Sequence, residues 1–562
     1  MNLAVVMGQR LGGKKICLRT VNVRSTFFDT GMACTPIHVT DRIARTQVGC
    51  YEERSFLADG MSVVLLLALA TLTLHCYFNN HYGYFRDEFD FMSCGEHLAW
   101  GYVDHPPLIP LMVYLTRAGF GDSLRALRFL PALANSSLIV LGALIAREFG
   151  GRRFSLILTA ACVAVAPIYL AYGSLVTTNC LEPLLWTGCA WCVVRAIGNN
   201  QPQYWLAFGL IAGIAMEEKY GIAVFVLGLV VGLLLTEPRR VLGNKWVWLG
   251  GLIAFLIFLP NLVWNVQHHW PFLELIRNVR ASGRDRVLPP LEYFTQQILM
   301  VQPLAGPIWI LGLAALFSWS PLKRWRLLGW SYVCAFVFFV ALHGKNYYLA
   351  PIYPMLLAAG AVMLESGIER CRQPWIKPVT VGLLLAEGVW IMPLVVPVLP
   401  VDHLVKFIRF LPFNVPSPEN RPAEPLIPQH YADQFGWEEM VEEINVAWQS
   451  IPPAQRSDCA IFAKNYGQAG AIDFFGPRYG LPPALSGHQT FFLWGPRGYS
   501  GNCMIVIEDR QQILEDRFEK VELVGTARDN PYAVERRLSV YLCHHLKSGT
   551  LSEIWTTFKD WH

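Results

Sequence analysis

The feature that most constrains this chain is a succession of long apolar runs, separated by short polar turns, that begins at Met61 and ends near Pro400. A helix needs about 20 apolar residues to cross the hydrocarbon core of a bilayer, and its backbone must satisfy its own hydrogen bonds there. Runs that reach or approach this length occupy 61–80, 124–148, 154–173, 178–197, 203–217, 221–236, 246–265, 295–318, 327–343, 347–365 and 376–398. The expected fold is a polytopic α-helical membrane protein with about eleven transmembrane helices. The runs at 203–217 and 221–236 are short, so a broken or tilted helix is expected there. Only 16% of the 562 residues are charged, against about a quarter in an ordinary soluble domain.

Lys and Arg in the turns set the orientation. With the N-terminus in the cytoplasm, the inner turns hold Arg147, Arg152, Arg153, Arg195, Arg239, Arg240, Lys245, Lys323, Arg324, Arg326, Arg370, Arg372 and Lys377, and the short outer loops hold only Lys219 and Lys345. An odd number of spans puts the C-terminus outside. Residues 1–55 carry basic residues but no apolar core ahead of a cleavage site, and read as a disordered cytoplasmic extension. Residues 56–398 form the membrane domain, with a first outer loop at 81–123. Residues 399–430 are dense in Pro and read as an extended linker. Residues 431–562 read as a small extracytoplasmic α/β domain: "QFGWEEMVEEINVAWQSI" has helical spacing, and "GNCMIVIED" and "RRLSVYLCHHL" are strand-like.

Several functions are excluded. The net charge of +4, without a basic stripe interleaved with aromatics, does not fit a nucleic-acid partner. The Gly/Pro loops "GPRYGLP" and "WGPRGYSG" carry no phosphate-binding motif, so no nucleotide cofactor is expected. The 14 cysteines show no disulfide framework. The pair Cys189 and Cys192 lies in an apolar run and reads as helix packing rather than a redox or zinc site.

The unusual polar residues gather on the outer side. The stretch "YGYFRDEFDFMSCGEHLAWGYVDHPPL" (82–108) places Arg86, Asp87 and Glu88 just past the first span, then a short helix whose Phe89, Met92, Leu98 and Trp100 suit an interfacial position. Asp104 and His105 follow, stiffened by two prolines. A carboxylate held in such a loop can serve as a general base; a solvated loop is the plainer alternative. Asp104 and His105, with another outer-face imidazole from His268, His269 or His343, could ligate a divalent metal, or these side chains are hydrogen-bonding interface residues. Lys219 and Lys345 each end an apolar helix against the positive-inside trend. Either they snorkel as end-caps or they meet a phosphate at headgroup depth. Tyr347 and Tyr348 accompany the second of them.

Taken in order, "FRDEFDF", "GYVDHPPL", "LEPLLW", "EEKYG", "PNLVWNVQHHWP" and "GKNYYLAPIYP" resemble the dolichyl-phosphate-mannose protein mannosyltransferase superfamily, from about 61 to 398. This superfamily of C-type membrane glycosyltransferases also holds the aminoarabinose transferase acting on lipid A. The resemblance implies a bacterial inner-membrane enzyme with its active site facing the periplasm. Its donor would be a polyprenyl-phosphate sugar, and its acceptor a lipid, glycan or protein on the outer face. It further implies that Asp87 is the catalytic carboxylate, assisted by Glu88. Arg86, His105, Lys219, Lys345, Tyr347 and Tyr348 would contact substrate, and Asp104 would stand where some relatives bind metal. One departure is plain: Asn179 stands where many relatives carry Asp. Glu182, three residues on, would compensate from the same helix face. A transporter or flippase, or a non-catalytic receptor for a lipid-linked sugar, is the competing reading. No internal repeat of the transporter kind is visible.

Overall fold

The computed structural model describes residues 60–283, 286–412 and 426–561. The chain divides into two units, Met1–Glu53 and Arg54–His562, and every element below belongs to the second. The expected extension at 1–55 lies outside the described residues.

The protein is a polytopic helical membrane protein. Each apolar run forms helix, but not always one straight span. Leu124–Glu148, Lys245–Gln267, Asn346–Cys371 and Ile376–Leu394 are long and apolar enough to cross a bilayer. Only 11% of the apolar window of Lys245–Gln267, and of Ile376–Leu394, is buried inside the protein, which leaves those sides for lipid. Three further runs are bent pairs, so among the described residues four helices, or up to seven if each pair is one span, are long and apolar enough to cross a bilayer. The other runs, Ser62–Phe78, Glu182–Gly198, Tyr204–Glu218 and Arg326–Ala341, form helices of 17, 17, 15 and 16 residues.

Proline explains the bends. Arg153–Val165 turns by 57° into Pro167–Ser174, and Ile222–Leu235 by 110° into Glu237–Gly243, which carries Pro238. The expected span at 295–318 is corrected: Pro290–Val301 and Pro303–Ser318 meet at 106°. Gln302 between them has a φ of 109°, is fully buried, and donates its side-chain amide to the Leu384 carbonyl at 2.7 Å. Close helix contact elsewhere relies on small residues. A Cβ on Gly360 would sit 1.8 Å from the Ile308 carbonyl oxygen.

The C-terminal residues build a four-stranded mixed sheet of order β1-β2-β4-β3, with β1 Cys459–Phe462, β2 Cys503–Ile507, β3 Phe518–Thr526 and β4 Ser539–Leu546. β1 and β2 are parallel, and the other pairings are antiparallel. Cys459 faces Cys503 in the parallel register and forms a disulfide with it, which corrects the expectation of no disulfide framework. The expected linker is also not uniformly extended: helix Val401–Arg409 lies in it, Gln429–Ala432 begins at its end, and 413–425 fall outside the described residues.

One apolar core joins this sheet to the first polar loop. Phe89, Phe91, Met92 and Ile109 pack with Trp437, Met440, Ile461, Ile472 and Ile505. The helix holding Phe89 and Met92 therefore lies against protein, not flat on lipid, while Leu98 and Trp100 beyond it are exposed.

Candidate active site under the C-terminal domain

Helix Arg86–Glu96 opens after extended Phe85, with Asp87 and Glu88 in its first turn, where backbone N–H groups favour negative charge. Glu88 is fully buried and all its acceptor capacity is in use. Its Oε1 accepts from Arg128 Nε at 2.7 Å and from the Val176 N–H at 3.1 Å. Its Oε2 accepts from Arg128 Nη2 and from the Phe85 N–H, both at 2.8 Å. Arg128, 1% exposed, also donates to the carbonyls of Asn79 at 2.6 Å and Gly83 at 2.9 Å. Glu88, expected to assist Asp87, is instead the brace that ties the first span, the loop helix and the 174–182 turn together.

Asp87 faces the other way. Its side chain is 29% exposed, Arg86 Nε lies 3.5 Å from Oδ1, and the phenol of Tyr466 donates to the same oxygen at 2.6 Å. One turn on, buried Asp90 places Oδ2 3.3 Å from Nε2 of His105, whose Nδ1 lies 2.9 Å from the Pro106 carbonyl oxygen. Asp104 Oδ1 is 3.7 Å from that Nε2 and is buried without a hydrogen-bond donor. Burial pushes the Asp104 carboxyl up to about 7, against the pull of His105. Burial alone would lower His105, but Asp104 and Asp90 outweigh it and raise it to about 9. His105, expected against the donor phosphate, is instead enclosed by Asp90 and Asp104 and is 1% exposed.

The metal set expected from Asp104, His268 and His269 does not come together. His268 stacks on Trp264 with ring centroids 4.1 Å apart, its Nδ1 near the Trp264 carbonyl, and His269 is exposed. Among the described residues, the metal-type donors that do converge are Asp90, Cys94 and His105, within 4.8 Å of one another and all buried. An ion there would bind the Cys94 thiolate and the neutral His105 ring, so binding would release protons.

A second cluster forms where the ends of three helices meet. Lys219 follows helix Tyr204–Glu218 in extended conformation. Its ammonium donates to Asn179 Oδ1, lies 3.9 Å from Glu182 Oε2, and sits 4.4 Å and 5.5 Å from the ring centres of Tyr348 and Tyr347. Asn179 precedes helix Glu182–Gly198, so the two do not share a helix face as expected. Both reach Lys219 all the same. Lys345 is close enough to act on Lys219 as a like charge. Tyr220 links the clusters. Its phenol donates to Asn261 Oδ1 at 3.1 Å, and Asn261 donates to the Trp100 carbonyl at 2.7 Å.

Residues 104–264 match the family model of dolichyl-phosphate-mannose-protein mannosyltransferases. Over that segment the chain is similar to that family. The match spans Asp104, His105, Asn179, Glu182 and Lys219 but begins after Asp87. The chain is also similar to lipid A galacturonosyltransferase RgtD of Rhizobium johnstonii, 24% identical over 242 residues, which is 39% of this chain and 47% of the relative. The matched segment therefore spans about half of that relative's length. In fold it is similar to ArnT from Cupriavidus metallidurans. The TM-score is 0.55 at 13% identity over 87% of this chain and 98% of that one for the form bound to undecaprenyl phosphate, and 0.55 at 15% identity for the apo form.

The loop helix also holds a residue that the motifs did not single out. Asp90 sits three residues after Asp87, a spacing that puts both along one side of a helix. Glu217 and Glu218 are buried beside Lys219. Glu218 Oε1 accepts from the Leu181 N–H at 2.8 Å, and Glu217 has no hydrogen-bond partner among the described residues. Tyr466 reaches the site from a sequence distance that no local pattern conveys.

Proposed function

We propose that this protein is a membrane glycosyltransferase that moves a sugar from a polyprenyl-phosphate donor to an acceptor hydroxyl of a lipid, glycan or protein on the outer face. The observation that carries this reading is the Lys219 cluster. Folding gathers Asn179, Glu182, Tyr347 and Tyr348 around one ammonium at a helix end, in reach of the carboxylate-bearing loop.

The acceptor oxygen bonds to the anomeric carbon as the bond from that carbon to the phosphate oxygen breaks. Polyprenyl phosphate leaves with the electron pair, and the hydroxyl proton passes to Asp87. Lys219 and Lys345 offset the phosphate charge, so the leaving group needs no proton. A single displacement inverts the anomeric centre. A divalent cation, were one required, would be held by Asp90, Cys94 and His105 and would supply a Lewis acid beside the loop.

The donor class is supported by the undecaprenyl phosphate bound to the Cupriavidus ArnT of similar fold. The outer-face placement is supported by the Lys and Arg asymmetry and by the Cys459–Cys503 disulfide, which fits an oxidising compartment.

The test is transfer of labelled sugar from purified polyprenyl-phosphate sugars to membrane-extract acceptors, wild type beside Asp87→Asn. A loss of about 10²- to 10⁴-fold in the variant is expected for a general base. Equal transfer would remove Asp87 from the mechanism. A wild type inert with every donor would count against the transferase reading itself.

A further inference from the structure

Asp87 is held from the C-terminal domain, across 379 residues of sequence. Tyr466 and Arg86 both approach Oδ1, at 2.6 Å and 3.5 Å, and Oδ2 has no hydrogen-bond partner among the described residues. The two oxygens are therefore not equivalent: one is anchored and the other is available.

The anchor is itself fixed. Tyr466 is buried, and its ring stacks on His488 with centroids 5.1 Å apart. The Arg86 guanidinium lies 5.5 Å from the centre of the same ring. Tyr466 opens helix Tyr466–Phe475, whose start is capped by Asn465 accepting from the Gln468 N–H at 3.0 Å. That helix lies directly on helix Arg86–Glu96. A Cβ on Gly470 would come within 2.8 Å of the Phe89 side chain, so only glycine permits this approach. Further contacts hold the same register. The Val103 N–H donates to Thr490 Oγ1 at 3.1 Å, and the Arg86 N–H donates to the Asp433 carbonyl at 3.1 Å.

We propose that Tyr466 is a positioning residue for the transfer reaction: it pins Oδ1 of Asp87 and so aims Oδ2 at the acceptor hydroxyl. The C-terminal domain is then part of the reaction centre rather than an appendage. A phenol donating to a carboxylate makes a short, charge-assisted bond. Without it, the carboxylate turns freely about a broad terminal torsion, and the fraction aligned for proton transfer falls. The inference rests on the transferase reading of Asp87.

The experiment uses the full chain with Tyr466→Phe, which keeps the ring, its stacking and its volume. The expected result is a kcat lower by about 10- to 100-fold, with the donor KM within about twofold because the Lys219 cluster is untouched. In an Asp87→Asn background the same change should have little further effect. A parallel cycle of apparent melting temperatures over Tyr466→Phe, Asp87→Ala and the double variant reads the contact without any activity, and non-additive shifts are expected. Wild-type kcat in Tyr466→Phe, or a kcat loss matched by a shifted donor KM and a collapsed melting temperature, would overturn the positioning role. Additive melting shifts would overturn the contact. A wild type that transfers no sugar would overturn the transferase reading and the role with it, while the melting cycle still decides the contact separately.

Discussion

Glu88→Gln should unfold this protein more readily than any change at the exposed acids. The carboxylate is fully buried and its partner Arg128 is 1% exposed. Removing the negative charge leaves a guanidinium buried without a counter-charge, which costs about 3–5 kcal/mol. The substitution also turns one acceptor oxygen into an amino group. If that is Oε1, Arg128 Nε and the Val176 N–H lose their acceptor; if Oε2, Arg128 Nη2 and the Phe85 N–H do. Each buried donor left unsatisfied costs about 1–3 kcal/mol. The sum is about 5 kcal/mol or more, comparable with the whole stability of a marginal domain. Denaturant unfolding of the detergent-solubilised chain, followed by tryptophan fluorescence, would measure it. The exposed Arg537, paired with Asp529 at 3.0 Å, supplies the control: Arg537→Ala should leave the midpoint in place. A Glu88→Gln protein within about 1 kcal/mol of wild type would refute the brace. Lost transfer at unchanged stability would return Glu88 to the chemistry.

Three other outcomes follow from named contacts. Lys219→Met should weaken binding of polyprenyl phosphate by about 10- to 100-fold, the worth of one charged hydrogen bond, as read by titration of the purified chain with the lipid phosphate. Burial pushes Asp473 up to about 7, opposed by its bond from the Ala484 N–H at 2.7 Å. The folded state then holds that proton more tightly than the unfolded chain does. Stability is therefore greatest below about pH 4 for this group and falls as pH rises toward 7. Asp473→Asn should flatten that part of the melting-temperature profile. Reduction of Cys459–Cys503, which closes a loop of 44 residues, should cost about 4 kcal/mol by the chain-entropy model. Unfolding with and without reductant, with the bond verified by mass spectrometry, checks it.

Much of the scaffold was legible because period and length are local properties. Every apolar run became helix, and the tail's helix at Trp437–Ser450 and strands β2 and β4 lie where the patterns placed them. β3 was missed: its sequence, FEKVELVGT, has one buried residue among nine and carries three charges, so it lacks the apolar signal of a buried strand. The bends were not legible as angles, although the prolines that cause them were visible. Within the site, Lys219, Asn179, Glu182, Tyr347 and Tyr348 were named from separate motifs, and the structure joins them. The buried partners of Glu88 and His105 were not legible for one reason. A sequence shows that a residue can ionise, but not which buried partner will occupy it. Arg128 lies 40 residues from Glu88, and Asp90 lies 15 from His105.

The shared core of the loop helix and the C-terminal domain also sets a timetable for synthesis. The groove that receives Phe89 is made of residues translated hundreds of positions later, and Tyr466 trails Asp87 by 379 residues. At about 5–20 residues per second, the loop helix waits on the order of 20–80 seconds on the ribosome before its covering helix exists. Through that interval Phe89, Phe91 and Met92 have only the earlier part of their core, around Ile109, Met112 and Val113, to pack on. A nascent chain arrested before residue 466 would carry every membrane motif and still lack an assembled loop. Protection of that loop against protease should therefore arrive late, together with the last strands.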